Sequence, residues 1–280
     1  AVYVAPDAPE ALTLLHKNNI ACFRTPESCA ESVKTFLNTK NPVKQKILKN
    51  DLSNISKKLK KNISKNLSEE EALEIFKDIG IQIVDYKVSF NEKQAIEHSS
   101  QIGFPLAMKV LSNQIIHKTE IGGVELNIKN LEELKTSFQK LSDVFKKLKI
   151  KSSDEKFLIQ KMEKGIAEII LGYRVDELIG PIVVLGSGGI LSEIYNDKSI
   201  RMAPVDITEA KKMINEVKSL VTITGYRGLP EADINIIANA LVNMSKFALL
   251  KEIKEAEINP VIVKKENEGI VAVDGLITLN

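Results

Sequence analysis

The fold class that this sequence predicts is mixed, α/β (α+β), and three observations predict it. Short apolar runs of strand length recur, as in Leu106-Ala-Met-Lys109-Val-Leu, Phe157-Leu-Ile-Gln160 and Ile182-Val-Val-Leu185, and glycine or polar stretches bound them. Longer segments over 130–148, 208–217 and 231–250 carry apolar residues at helical spacing, with acids near their starts and lysines nearer their ends. Near the C-terminus, Glu257-Ile-Asn259-Pro260-Val-Ile-Val263 and Ile270-Val-Ala-Val-Asp274 flank the polar Lys264-Lys-Glu-Asn-Glu-Gly269, which is the pattern of a β-hairpin.

Taken in order, the elements fall into three regions. Residues 1–40 read as strand Val2-Tyr-Val4, a helix over 8–18, strand Ile20-Ala-Cys-Phe23 and a helix over 26–37. This α/β fragment is too small to bury a core of its own, and its opening at Ala1 without methionine is expected of a piece of a longer polypeptide. Residues 41–66 form a basic connection in which eight lysines between Lys44 and Lys65 face one acid, Asp51. Such a run is a solvated linker or the polar face of a helix. Residues 67–280 hold the remaining strands and helices, including one over 92–101, together with the residues that carry chemistry.

Composition excludes several classes. With 280 residues and 44% hydrophobic content the chain can bury one large or two modest cores. Thirty-nine basic against 37 acidic residues leave a net charge of +2, so nothing points to nucleic acid. No apolar run approaches the roughly 18 residues that cross a bilayer, and no signal-peptide pattern occurs. Two cysteines, Cys22 and Cys29, make neither a disulfide framework nor a metal site, so a cytoplasmic location is expected.

Chemistry concentrates in Lys109-Val-Leu-Ser-Asn-Gln-Ile-Ile-His117-Lys118-Thr-Glu-Ile-Gly122-Gly123. A lysine inside an apolar strand must meet an anion, for which a nucleotide phosphate is fitting. His117 and Lys118 sit in the following loop, and the glycine pair lends the backbone access to positive φ. Neutral imidazole is abundant at physiological pH, so a loop histidine is equipped to act as a nucleophile. At the far end, Glu257 and Asn259 lie two residues apart on one strand face and Asp274 ends the next strand, an oxygen-rich set suited to Mg²⁺, the alternative being that Asn259-Pro260 starts a turn and Asp274 caps a strand. Gly186-Ser-Gly188-Gly189 follows an apolar strand and can present N–H groups to an anion, although it is neither a Walker A loop nor a dinucleotide fingerprint.

Several motifs in this order resemble the nucleotide-binding part of the ADP-forming acyl-CoA synthetases, relatives of succinyl-CoA synthetase whose β subunit has the ATP-grasp fold. They are Leu67-Ser-Glu-Glu-Glu-Ala-Leu-Glu-Ile-Phe, Gly80-Ile-Gln-Ile, Ile102-Gly-Phe-Pro-Leu-Ala-Met-Lys109-Val and Ile115-Ile-His-Lys-Thr-Glu-Ile-Gly-Gly-Val, then Gly180-Pro-Ile-Val-Val-Leu-Gly-Ser-Gly-Gly-Ile, Gly225-Tyr-Arg-Gly, Glu257-Ile-Asn-Pro and Val273-Asp. The resemblance implies an ATP-grasp domain of two subdomains over 67–280, preceded by the end of a flavodoxin-like CoA-ligase domain in 1–40. It implies ATP or ADP and Mg²⁺ as ligands. Lys109 and Lys118 would contact nucleotide, Asn259 and Asp274 would hold Mg²⁺, and His117 would carry the phosphoryl group, with Glu257 holding its ring tautomer. Gln160-Lys161-Met162 resembles the hinge whose backbone reads adenine. Glu168, Gly188, Gly189, Glu193 and Arg201 resemble positions near the phosphates, while strand pairing explains Glu168, and a surface salt bridge Glu193 and Arg201, equally well.

The implied activity is that of acetate–CoA ligase (ADP-forming): acyl-CoA, phosphate and ADP give acid, CoA and ATP through an acyl phosphate and a phosphohistidine. The only histidines are His16, His98 and His117, and the first two fall in helices. The CoA site and the histidine phosphorylated first are therefore expected in a partner domain or subunit, and an oligomer is expected. Two alternatives stand beside this one, a non-catalytic synthetase-like regulatory module of an acetyltransferase and an ATP-grasp carboxylate–amine ligase. The residues name neither the acyl group nor the choice between adenine and guanine.

Overall fold

The computed structural model describes residues 1–3, 8–38, 52–60, 62, 64–112, 118–150, 155–189 and 196–280. They divide into two compact units, 1–45 and 46–280. In the first, strand β1 (Val2–Tyr3) pairs parallel with β2 (Cys22–Phe23), and helices α1 (Pro9–Lys17) and α2 (Pro26–Asn38) accompany them. Neither helix has a buried residue, and Leu14, Phe36 and Leu37 are 63%, 79% and 74% exposed. An open cleft of about 590 Å³ runs beside β1 and α2, lined by Val2, Ala30, Val33 and Leu37. The unit thus forms no closed core among its described residues.

The basic connection is in part structured. Within it, α3 (Ser53–Lys60) turns Lys57, Lys58 and Lys60 outward and buries Ile55 and Leu59 in the larger core of the second unit. It is the polar-face alternative, with an apolar stripe on the other side.

The second unit has two sheets and two cores. In the smaller sheet, β3 (Tyr86–Ser89), β4 (Leu106–Val110), β5 (Val124–Ile128) and β6 (Phe157–Lys161) run in the order β3-β6-β4-β5, every pair antiparallel. Helices α5 (Glu92–Ile102) and α6 (Leu131–Lys147) cover one face. Asn91 and Asn130 cap these helices by accepting from the N–H of Gln94 and Glu133, and Leu134, Leu141 and Phe145 form one stripe of α6 against Met108, Phe157 and Ile159. Simple alternation in β5 would turn Leu126 inward, yet it is 57% exposed. The register moves three residues on β5 (Ile128 to Glu125) against two on β4 (Leu106 to Met108), and Asn127 takes φ +57, so a bulge turns Leu126 outward.

The larger sheet comprises β7 (Ala167–Asp176), β8 (Gly180–Ser187), β9 (Lys198–Met202), β10 (Ile253–Val263), β11 (Ile270–Ala272) and β12 (Gly275–Leu279). Its order is β11-β10-β7-β8-β9, and β12 continues the edge that β11 begins on β10. The C-terminal hairpin therefore forms as expected. Leu171, Tyr173, Val183, Leu185, Ala256 and Ile258 bury one face against α4 (Glu69–Asp78), α7 (Ile207–Glu216) and α8 (Ile234–Ser245). The helical segment 231–250 is shorter than its spacing predicts, because Asp233 caps α8 and a 3₁₀ turn, Lys246–Leu249, ends it.

Candidate functional site

Lys109 occupies the fourth position of β4, a strand buried throughout. Its Nζ donates to Glu69 Oε1 at 2.6 Å and to the Val273 carbonyl at 3.1 Å, and lies 3.3 Å from Asp274 Oδ2. Glu69, the first residue of α4, was not among the sequence candidates. It is 3% exposed and its second oxygen pairs with Lys118. The amide of Gln160, itself 2% exposed, donates to Glu69 Oε1 at 3.3 Å and to Val273 O at 3.1 Å. The anion required by the buried lysine is thus supplied first by the protein. The signals for Glu69 were an acid at a helix start, which is common on exposed helices as well, and its place in the first motif of the family resemblance, neither of which singles it out from Glu70 and Glu71.

Charge interactions override burial for two members of this cluster and not for the third. Burial opposes ionisation of Glu69, but Lys109 and Lys118 outweigh it and hold the carboxyl below its ordinary range. Burial likewise opposes the charged Lys109, and Glu69 with Asp274 raises it nonetheless. For Asp274, burial and the like charge of Glu69 prevail over the two lysines and push the carboxyl up. Its side chain remains 43% exposed, so it can meet a ligand from solvent.

Asn259 and Asp274 face each other across one break in the sheet. The β10 register skips from Ile258 to Val261, opposite Gly275 and Ala272, which places Asn259–Pro260 against Val273–Asp274. Asn259 Nδ2 donates to Glu257 Oε1 at 3.2 Å, which leaves its amide oxygen for a cation. No group of three His, Cys, Asp or Glu suited to a metal occurs among the described residues. An ion here takes most of its ligands from elsewhere, as Mg²⁺ does from nucleotide phosphates. The donor set fits that ion.

The remaining candidates divide. β6 leaves the small sheet at Lys161 and the chain enters the large one at Ala167, so Gln160-Lys161-Met162 is the crossing point between the sheets. The N–H groups of Lys161 and Met162 donate to the carbonyls of Asp85 and Pro105, both at 3.0 Å, which leaves reading of a base to other backbone groups of this segment. Glu168 and Glu257 share the sheet face turned away from the large core, since Ile169, Ala256 and Ile258 are fully buried. Gly188 needs its missing side chain, for a Cβ there would lie 2.8 Å from the Glu168 carbonyl carbon. Its N–H donates to Glu168 O at 2.7 Å, and that of Ser187 to Asp197 O at 3.1 Å, so these two do not present themselves to an anion as the glycine-rich pattern led us to expect. Gly189 lies beside Glu168, its would-be Cβ 3.7 Å from Oε2.

Arg201 stands apart on β9, the far edge from β10. Its guanidinium pairs with Glu209 at 3.1 Å and with Glu216, both on α7, which is the salt-bridge alternative. His117 and Glu193 lie outside the described residues. The chain after His117 is described: Lys118 reaches Glu69, its carbonyl accepts from Gly123 N–H at 2.8 Å, and Gly122 closes the turn at φ +69. His98 Nδ1 lies 2.8 Å from Ser89 Oγ and takes no part in this cluster, and His16 is exposed on α1 of the first unit.

Comparison with known proteins agrees with this geometry. The family model described as ATP-grasp domain matches residues 57–279. The β subunit of acetate–CoA ligase [ADP-forming] I from Pyrococcus furiosus is 38% identical over 212 residues, covering 75% of this chain and 90% of that subunit. Acetate–CoA ligase [ADP-forming] from Methanocaldococcus jannaschii is 31% identical over 278 residues and 92% of this chain, which spans 39% of that relative. A structure of Ca. Korarchaeum cryptofilum dinucleotide forming acetyl-coenzyme A synthetase 1 with coenzyme A and Ca-AMPCP aligns at TM-score 0.73 and 32% identity, covering 82% of this chain and 100% of that one. Another of the same protein, with coenzyme A and Mg-AMPPCP and its phosphohistidine segment pointing towards the nucleotide site, aligns at 0.67 and 32% identity over 81% of this chain and 99% of that one. The family match and these relatives place the frame just described: the chain belongs to the ATP-grasp domain family, as a homologue of the β subunit of ADP-forming acetate–CoA ligases.

Proposed function

We propose that this chain is the nucleotide-binding and phosphoryl-transferring part of an ADP-forming acid–CoA ligase. The observation that carries the reading is Lys109 Nζ 3.3 Å from Asp274 Oδ2, at a sheet break that also holds Asn259. A phosphate-binding cation and a metal-binding carboxylate are there side by side. Lys109 and Lys118 bind nucleotide phosphate, and the connection 160–162 places the base. Asp274 and Asn259 hold Mg²⁺, which when bound neutralises phosphate charge, the main need of a reaction that runs on positioning and electrostatics. Glu168, Gly188 and Gly189 border the phosphates on the open sheet face, whereas Arg201 holds α7 to the sheet.

His117 takes the phosphoryl group in this reading. The acyl phosphate first gives its phosphoryl group to the histidine of the CoA-ligase part, releasing the carboxylate; the His117 imidazole then attacks that phosphorus, the first imidazole leaves, and the phosphoryl group passes from the His117 ring nitrogen to ADP. Glu257 holds the ring by its other nitrogen. The acyl phosphate itself arises from acyl-CoA and phosphate on a CoA-ligase domain or subunit that carries the first phosphorylated histidine. Residues 1–40 are the end of such a domain, and 41–66 connect it to the ATP-grasp domain of 67–280 through a segment whose helix α3 packs on that domain's core. A cytoplasmic oligomer fits these partners, and no described helix is long and apolar enough to cross a membrane.

Calorimetry with Mg²⁺ and ADP or ATP tests the reading on this chain. Binding is expected, and Asp274→Ala should weaken it about tenfold or more through loss of a metal ligand. Failure of every adenine and guanine nucleotide to bind would remove the assignment.

A further inference from the structure

We propose that Glu69 is a positioning residue of this site, one buried carboxylate that holds the ammonium groups of Lys109 and Lys118 side by side as a cradle for nucleotide phosphate. The inference rests on the nucleotide reading above and assigns a role to a residue that touches neither nucleotide nor metal in it. Three side chains that lie 40, 49 and 91 residues from Glu69 in sequence converge on this carboxylate. Lys109 rises from β4 to Oε1, Gln160 from β6 donates to the same oxygen, and Lys118 takes Oε2. Two ammonium groups this close repel each other unless an anion lies between them. Glu69 is that anion, and it is fixed: it opens α4 between the partners of a capping box, in which Glu71 N–H donates to Ser68 Oγ and Ser68 N–H to Glu71 Oε2.

Donor counting separates the two lysines. An ammonium has three N–H groups, and those of Lys109 face Glu69, the Val273 carbonyl and Asp274. When Asp274 turns to a cation, one donor of Lys109 is released toward phosphate while Glu69 keeps its hold. Lys118 has Glu69 as its partner among the described residues, and an ammonium with three donors can serve that carboxylate and a phosphate together. The carboxylate thus restrains both cations without consuming them.

The test compares nucleoside with nucleoside diphosphate, in adenine and guanine series, by calorimetry with Mg²⁺ on the full chain. In the unaltered chain the diphosphate should bind far more tightly than the nucleoside. In Glu69→Gln the nucleoside affinity should stay within about twofold, while the advantage of the diphosphate falls roughly tenfold or more, the scale of a lost charge-assisted hydrogen bond. Glu69→Asp, which keeps the charge, should recover part of it. Lys118→Met should lose several-fold of the same advantage, and Glu69→Gln with Lys118→Met should lose little beyond Glu69→Gln alone, since both remove one cradle. An unchanged advantage in Glu69→Gln, or an equal fall for nucleoside and diphosphate, overturns the proposal in favour of a purely structural carboxylate. If Glu69→Gln does not fold, Lys118→Met decides, and an undiminished advantage there overturns it too. An unaltered chain that binds the diphosphate no better than the nucleoside refutes instead the nucleotide reading on which the proposal stands.

Discussion

Glu69 ties the stability of this protein to pH in a way that can be measured. Its carboxyl lies below its ordinary value of 4.5 in the folded chain because Lys109 and Lys118 outweigh the cost of burial. A depressed acid contributes stability that is complete above its unfolded pKa and is lost as pH falls through the folded one. Lys109, raised above its ordinary 10.5, keeps its contribution until pH climbs through that raised value. Asp274 acts in the opposite sense to Glu69, since protonation favours the fold, but solvent screens a side chain that is 43% exposed. Thermal unfolding of the native chain and Glu69→Gln should therefore show a gap that is constant from about pH 6 to 9 and closes only in acid below about 4.5. A gap that closes near neutrality contradicts this account of the cluster. At this scale Lys109 was legible as a cation in need of an anion, because one charged residue in an apolar strand has few alternatives. Its first partner was not, since Glu69 is forty residues away and its burial arises only when α4 docks beside β4 and β6.

Among the elements, α4 carries the most direct consequence for the site, because its first residue is Glu69 and its start is set by the Ser68–Glu71 capping box. Ser68→Ala should cost about 1 kcal/mol of stability in denaturant unfolding, as lost N-caps do. A change indistinguishable from zero would mean that tertiary contacts alone set the helix start. Helices were the legible elements: Asn91, Asn130, Asp206 and Asp233 each cap one through the side chain, and each stands just before an apolar stripe. The hairpin of β10 and β11 was legible for a similar reason, as its turn is polar and ends in Gly269. The bulge at Asn127 was not, because one extra residue leaves a strand's composition unchanged while reversing which side chains face the core. The glycine-rich turn misled in the same way, since only the paired strand reveals that Gly188 N–H belongs to Glu168.

Over the whole molecule, two cores enclose one site: β4, β6, α4 and the β11–β12 junction, which belong to different layers, each contribute a group to the cluster of Lys109, Gln160, Glu69 and Asp274. Order of motifs along the chain pointed through resemblance to the ATP-grasp fold, while spacing alone marked the lysine, the histidine segment and the acidic hairpin without joining them. In the function proposed above, the joined site exchanges a phosphoryl group between nucleotide and His117. The most direct measurement mixes this chain with Mg²⁺ and ATP labelled at the γ-phosphate and follows label on the protein in a single turnover. Acid-labile, base-stable label is expected, and in His117→Ala it should be lost while Mg–nucleotide affinity stays within about threefold, because carrier and binding residues are distinct. Label of undiminished amount on the alanine variant, or nucleotide binding with no label on the native chain, would contradict that function.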